Sequence, residues 1–329
     1  MNRTLRRGVF TLSLDFELVW GSRDLMADPS ALVEEAHITR EQVFLPLLTM
    51  LEDRDIRATW ATVGHLFLDH ATRTDGTLHP DLVPPTHAWR SRPWLEEVPA
   101  GTEAQHPAWY GRTLIDRLLA SNQEVGSHSF THPIFGDPGC SRDTAATELA
   151  RCVAEAKARG ITLESFVFPR NVAGHVDLLA QHGFTCWRPK EPAWFGHPAV
   201  PTPISRLAHL AEVAIGRAPP TVVPVKDRHG LWQIAGSATF LPAHGIRKAI
   251  PMRQRVRRAV AGIDQAITQR RISHLYVHPI NFAAAPKRML AAFEHILDAA
   301  VDRRNTGQLD ILAMGDIARE AESGALFAS

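Results

Sequence analysis

Asp15 and Glu17 stand two residues apart at the end of a short apolar run, 8–14 (GVFTLSL), and His128 and His132 directly follow a second run, 124–127. Two imidazoles and one carboxylate form the protein donor set of an open catalytic metal site, with a fourth position left for water or substrate. The H-x-x-x-H spacing is one that a helical turn would place on a single face, although Gly126, Ser127 and Pro133 favour a tighter turn here. The glutamate of the H-E-x-x-H protease signature is missing. Of the two acids, one can bind the metal while the other takes a proton from water. On a continuing strand they share a face. His278 follows a third run, 274–277, and adds a further acid–base group. Singly, each residue has a plain structural reading, such as a cap for an acid or a satisfied core imidazole for a histidine. The signal is their convergence on strand ends.

Parallel strands bring their carboxyl ends to one mouth, where α/β folds keep their chemistry. Periodicity predicts strands over 8–14, 56–63, 124–127, 163–168, 184–187, 274–277 and 309–312. Helical patterns lie between them at 38–51, 110–121, 141–159, 172–182, 253–271 and 286–303, with a closing helix after 312. Two proline-rich stretches, 72–108 and 189–252, interrupt the rhythm, and loops of that length are candidates for function. The expected fold is α/β: a distorted (β/α) barrel of about seven parallel strands with two long loop insertions. We expect one domain over 1–329, with a catalytic core at about 8–312.

Composition narrows the classes further. With 36 Lys and Arg against 35 Asp and Glu, the net charge of +1 excludes a surface built wholly for nucleic acid. Three widely spaced cysteines without a C-x-x-C pair argue against a disulfide framework and for a reducing compartment. The start carries no signal-peptide pattern and no stretch has the 18 or so apolar residues of a membrane span, so the expected location is cytoplasmic. One stretch departs from the balance. Within 246–272, Arg247, Lys248, Arg253, Arg255, Arg257, Arg258, Arg270 and Arg271 face Asp264 alone. Its bland reading is a solvated helix face; the sharper one is peripheral contact with phosphate or an anionic membrane surface.

Four ordered motifs then carry a family resemblance: Thr11 to Gly21 (TLSLDFELVWG), Glu124 to Pro133 (EVGSHSFTHP), Phe168-Pro169-Arg170-Asn171, and Tyr276 to Phe282 (YVHPINF). Together they resemble the polysaccharide deacetylase family, also called NodB-homology or carbohydrate esterase family 4, over about 8–312. The resemblance implies a distorted (β/α) barrel that removes acetyl groups from N-acetylated sugars with one divalent metal, commonly zinc. It further implies Asp15 as base, Glu17, His128 and His132 as metal ligands, Arg170 as the arginine that orients and ionises Asp15, and His278 as acid. Many members have adjacent aspartates in the first motif, whereas Phe16 separates the two acids here. Exchanged roles for Asp15 and Glu17 therefore stay open. The tryptophan motif of the family is only loosely met by Cys186-Trp187-Arg188-Pro189.

Trp20, Trp60, Trp109, Tyr110 and Trp187 are candidates to stack on a sugar, Trp20 and Trp109 foremost, and Asn171 is a further candidate substrate contact. The expected substrate is an N-acetylated sugar, nucleotide sugar or glycoconjugate, with no nucleic-acid partner. Two alternatives remain: a same-fold hydrolase of another amide, such as a deformylase or cyclic-amide hydrolase, and a non-catalytic saccharide-binding module.

Overall fold

The computed structural model describes residues 4–26, 29–191, 217–243 and 245–328. The first strand, β1 (Gly8–Phe16), is buried along its whole length, as expected for a strand with structure on both faces. Its residues alternate. Phe10, Leu12, Leu14 and Phe16 enter the main apolar core, whereas Thr11, Ser13 and Asp15 point to the other face with Val9. That parity decides which end of the sequence motif is chemical.

After β1 come β2 (Thr59–Thr62), β3 (Glu124–Ser127), β4 (Ser165–Val167) and β5 (Cys186–Arg188). The short strands β6 (Val225–Lys226), β7 (Trp232–Gln233) and β8 (Ala238–Thr239) follow, then β9 (Ile272–Val277) and β10 (Leu309–Ile311). They form one ten-stranded sheet in the order β6-β7-β5-β4-β3-β2-β1-β9-β8, with β10 pairing the start of β1. Only β6 and β7 pair antiparallel. From β1 to β5 each strand lies beside its predecessor, so the chain winds in one direction and every strand of that run ends at the same mouth. The sheet curls into a half-barrel of the distorted (β/α) type.

Helices cover the outside: α1 (Ser30–Ile38), α2 (Leu45–Glu52), α3 (Arg112–Leu119), α4 (Arg142–Lys157), α5 (Val176–Gln181), α6 (Met252–Gln269), α7 (Pro286–Asn305) and α8 (Met314–Ser323). A π-helical segment, Thr39–Phe44, joins α1 to α2, so helix begins earlier than the sequence pattern predicts. Ser141 caps α4 by accepting the Thr144 backbone N–H. The helix expected over 172–182 starts only at Val176, because His175 before it is left-handed.

The first insertion is held rather than loose. Two small hairpin ladders brace it, His70–Ala71 with Gly101–Thr102 and Arg73–Thr74 with Thr77–Leu78. Its Trp94 and Glu97 close around the buried Arg23, whose guanidinium lies 4.8 Å from the Trp20 ring and 4.6 Å from the Trp94 ring and donates to the Trp94 carbonyl. Of the second insertion, 192–216 lies outside the described residues, and the remainder supplies β6, β7 and β8.

Gly8 sets how closely α6 approaches β1. A Cβ there would sit 2.6 Å from the Ile267 Cα and 2.7 Å from its backbone N, so any side chain must displace the helix. Gly8→Ala is expected to lower stability by about 1–3 kcal/mol through overpacking, read as a lower urea midpoint. An unchanged midpoint would show that the helix contact is not constraining.

Candidate active site

At the mouth, β1 presents Asp15 and runs out into Glu17, β3 runs into His128, β5 ends at Arg188 and β9 runs into His278. His132 reaches the same point without a helical turn. Ser129 and His132 both adopt left-handed backbone, with φ of 61° and 65°, and fold the loop so that the two imidazole centroids lie 4.9 Å apart. Non-glycine residues held in this region mark a backbone that its surroundings over-determine.

Glu17 is the carboxylate that joins the histidines. Its Oε1 lies 2.9 Å from His128 Nε2 and 3.3 Å from His132 Nε2, all three groups being buried. His128 donates from Nδ1 to the Val167 carbonyl at 2.7 Å, which orients the ring and turns Nε2 toward Glu17 and the candidate ion position. Neither His132 ring nitrogen has a hydrogen-bond partner although both are buried. Candidate ligand atoms from Glu17, His128 and His132 lie within 4.8 Å of one another. An unsatisfied buried imidazole beside a carboxylate and a second, oriented imidazole fits a divalent cation.

Asp15 is bound by Arg188, while its carboxylate, with that of Glu17 and the His278 ring, also forms a second group of candidate ligand atoms within 4.8 Å of one another. The guanidinium donates from Nη1 and Nη2 to the two carboxylate oxygens, each at 2.6 Å, and both side chains are buried. Burial would raise the Asp15 pKa; Arg188, with His278 and His128, more than offsets it and holds the carboxyl below its usual range. Arg188 is itself placed by Ser13 Oγ at 2.8 Å, by Asn171 Oδ1 at 3.0 Å and by the Tyr276 ring 4.4 Å away. Ser13 Oγ meets His274 Nε2 at 2.8 Å, and His274 Nδ1 faces the Ile234 and Ala235 carbonyls. Burial pushes His274 down to about 3. A neutral ring that donates from Nδ1 leaves Nε2 to accept from Ser13, whose oxygen is then free to accept from Arg188. His278, 27% exposed, stands over both acids, with Nε2 3.4 Å from Asp15 and 3.9 Å from Glu17.

Glu148 on α4 fixes the loop between the histidines. It accepts the Phe130 and Thr131 backbone N–H groups, each at 2.7 Å, and the Thr131 hydroxyl. Burial pushes its carboxyl up to about 7.

Several expectations need correction. Arg170 does not reach Asp15: with φ of 55°, it turns to the buried Asp24 at 2.5 Å, and Arg188 takes the predicted place. Asn171 serves Arg188 instead of lining open space. The stacking aromatics lie in the packed interior. Trp20 and Trp109 pack edge to face at 5.6 Å, and Trp20 Nε1 donates to the Trp109 carbonyl. Tyr110 Oη donates to the Pro99 carbonyl, Trp60 packs on Phe16 and Phe44, and Trp187 packs on Phe168 and donates to Asp227. None of these rings presents a face at the mouth. Among the described residues, Trp89 is an exposed ring beside the site, 44% exposed and 5.4 Å from the Arg170 guanidinium. It stacks on His87 and donates to Asp137, just beyond the histidine loop.

The half-barrel has a NodB-like fold, the fold of solved polysaccharide deacetylases. Among solved structures, a protein assigned as a polysaccharide deacetylase from Mycobacterium smegmatis superposes with a TM-score of 0.62 at 13% identity, over 97% of this chain and 92% of that one. A protein assigned likewise from Pseudomonas aeruginosa PAO1 gives 0.59 at 12% identity, over 96% and 91%. The Puue allantoinase gives 0.58 at 11% identity, over 96% and 90%. No protein-family model matches the sequence, and no curated protein matches it.

Arg188→Ala would leave Asp15 buried without its cation, an expected loss of about 3–5 kcal/mol in urea unfolding. Asp15→Ala combined with Arg188→Ala should lose clearly less than the sum of the single variants. Additive losses would contradict the pairing.

Proposed function

We propose that the protein is a metal-dependent hydrolase that removes an N-acetyl group from an amino sugar or a sugar conjugate. The observation that carries the reading is the different partners of the two neighbouring acids. Glu17 is grouped with His128 and His132, and Asp15 is held two residues away by an arginine that keeps it ionised.

Glu17, His128 and His132 would hold the cation, for which zinc suits the two-imidazole, one-carboxylate set. When bound, such an ion lowers the pKa of water and polarises the amide carbonyl. Asp15 then takes the proton from the attacking water as its oxygen bonds to the carbonyl carbon. Arg188 keeps that carboxylate aimed and charged. His278 stands close enough to Asp15 to share its space and, protonated, gives a proton to the amide nitrogen as the C–N bond breaks, so that acetic acid and a free amine result. Trp89, with Arg170 beneath it, supplies the flat face against which a sugar ring would lie.

A second reading keeps the chemistry and changes the amide: a non-acetyl or non-sugar substrate, such as a formamide or a cyclic amide. The likeness to an allantoinase favours carrying it. A third, a saccharide-binding module without catalysis, is disfavoured because base, acid and ligand positions are all filled.

Acetate release from a panel of N-acetylhexosamine compounds tests the reading, with formyl and cyclic amides alongside. Asp15→Asn and His278→Ala should each lower kcat by about 10²–10⁴-fold. Trp89→Ala should raise KM by about three- to tenfold with little change in kcat, from the loss of about 0.5–1.5 kcal/mol of stacking. Release of no acetate by metal-loaded protein, with turnover of another amide, would move the assignment to the second reading.

A further inference from the structure

The basic stretch singled out in the sequence takes no part in the site, and its placement is specific. Helix α6 follows β8 and α7 opens at Pro286, a short turn beyond His278, so both helices start at the mouth and run away from it. Between their first halves lies a groove of about 570 Å³. Its floor is apolar, with Val256 and Val260 on α6 and Ala291 on α7, and its rim is Arg253, Arg257 and Arg288. All three arginines are exposed.

No acidic residue occurs anywhere in 240–263 or 279–293, the segments that build this corner. The acids next along the helices are already engaged: Asp264 by Arg303 at 2.6 Å, and Glu294 and Asp298 by Arg54 at 2.9 and 2.7 Å. Arg255, which the sequence counts into the stretch, is buried and bonded to the Arg247 and Ile250 carbonyls, so it is structural. Burial lowers its pKa, and Arg247 and Arg288 are close enough to lower it further. Among the described residues no acid pairs with this rim, so the groove is an apolar trough with a cationic rim, beside the catalytic mouth. A rim of like charges repels itself unless an anion joins it, and an apolar floor beneath the rim fits an anion attached to hydrocarbon.

We propose that this groove docks an anionic lipid of a bilayer, its phosphate on Arg253, Arg257 and Arg288 and the start of one chain along Val256, Val260 and Ala291. Docking there sets the mouth against the membrane surface, where an amide-bearing saccharide carried on a lipid would be presented. Only that last step rests on the proposed hydrolase; the lipid site itself does not.

The test is co-sedimentation of the intact protein with vesicles of phosphatidylcholine alone and with about one-third phosphatidylglycerol added. Binding to the anionic vesicles only, weakened by salt, is expected. Arg253→Glu with Arg257→Glu and Arg288→Glu should lower partitioning about tenfold or more. Ala291→Asp, which keeps every arginine and sits at an exposed position, should lower it as well. The milder Arg→Gln triple, with an unchanged melting transition, separates lost docking from lost folding. Equal partitioning to both vesicles, or an undiminished triple variant, overturns the proposal. Full displacement by soluble glycerol phosphate overturns the lipid in favour of a free phosphate ligand. Because the readout is binding, it stays informative whether or not acetate is released.

Discussion

Two carboxylates buried within three residues at the end of one strand are the constraint around which the mouth is organised. Neither can stay charged in that setting without a compensating group, and β1 itself supplies none. Asp15 draws its cation from β5 and Glu17 its imidazoles from the loop after β3, so the strand ends must meet with ångström accuracy. A consecutively wound parallel sheet provides that meeting. The compensation also divides the two acids: Asp15 lies beside a permanent cation that holds its carboxyl below the usual range, and Glu17 faces the two imidazoles as a candidate ligand.

The support behind these groups is as specific as the groups. Arg188 is fixed through Ser13 and a neutral His274 to the carbonyls of Ile234 and Ala235, which connects Asp15 to the second insertion. The histidine loop is pinned by Glu148 from outside the sheet, and Arg23 ties the first insertion to the segment after β1. Each is a buried polar group whose partners come from distant sequence, the arrangement expected where geometry must be held for chemistry.

Much of this was legible in the chain. Strand positions followed from short β-branched runs, and the acids and histidines stood out because they ended such runs. The tryptophans misled for a reason that parity could have caught. Trp60 pairs in register with Leu14, so it faces the helix layer with Leu14 and Phe16, away from Asp15. The choice between Arg170 and Arg188 was not legible, since it depends on left-handed backbone at Arg170 and Asn171, to which no side-chain pattern points. Trp89 was hidden in an insertion that also holds Trp94, and only its exposure distinguishes the two. The basic segment was visible as charge, but α7's share of it, Lys287 and Arg288, appears only when the two helices lie side by side.

The most direct test of the central claim is the metal content of the purified protein beside His128→Ala, by elemental analysis after exposure to zinc. About one equivalent in the wild type and a loss in the variant is the outcome this geometry predicts. Protein that takes up no divalent ion when offered it, or a His128→Ala variant that retains the full equivalent, would contradict the assignment of Glu17, His128 and His132 as the ligand set.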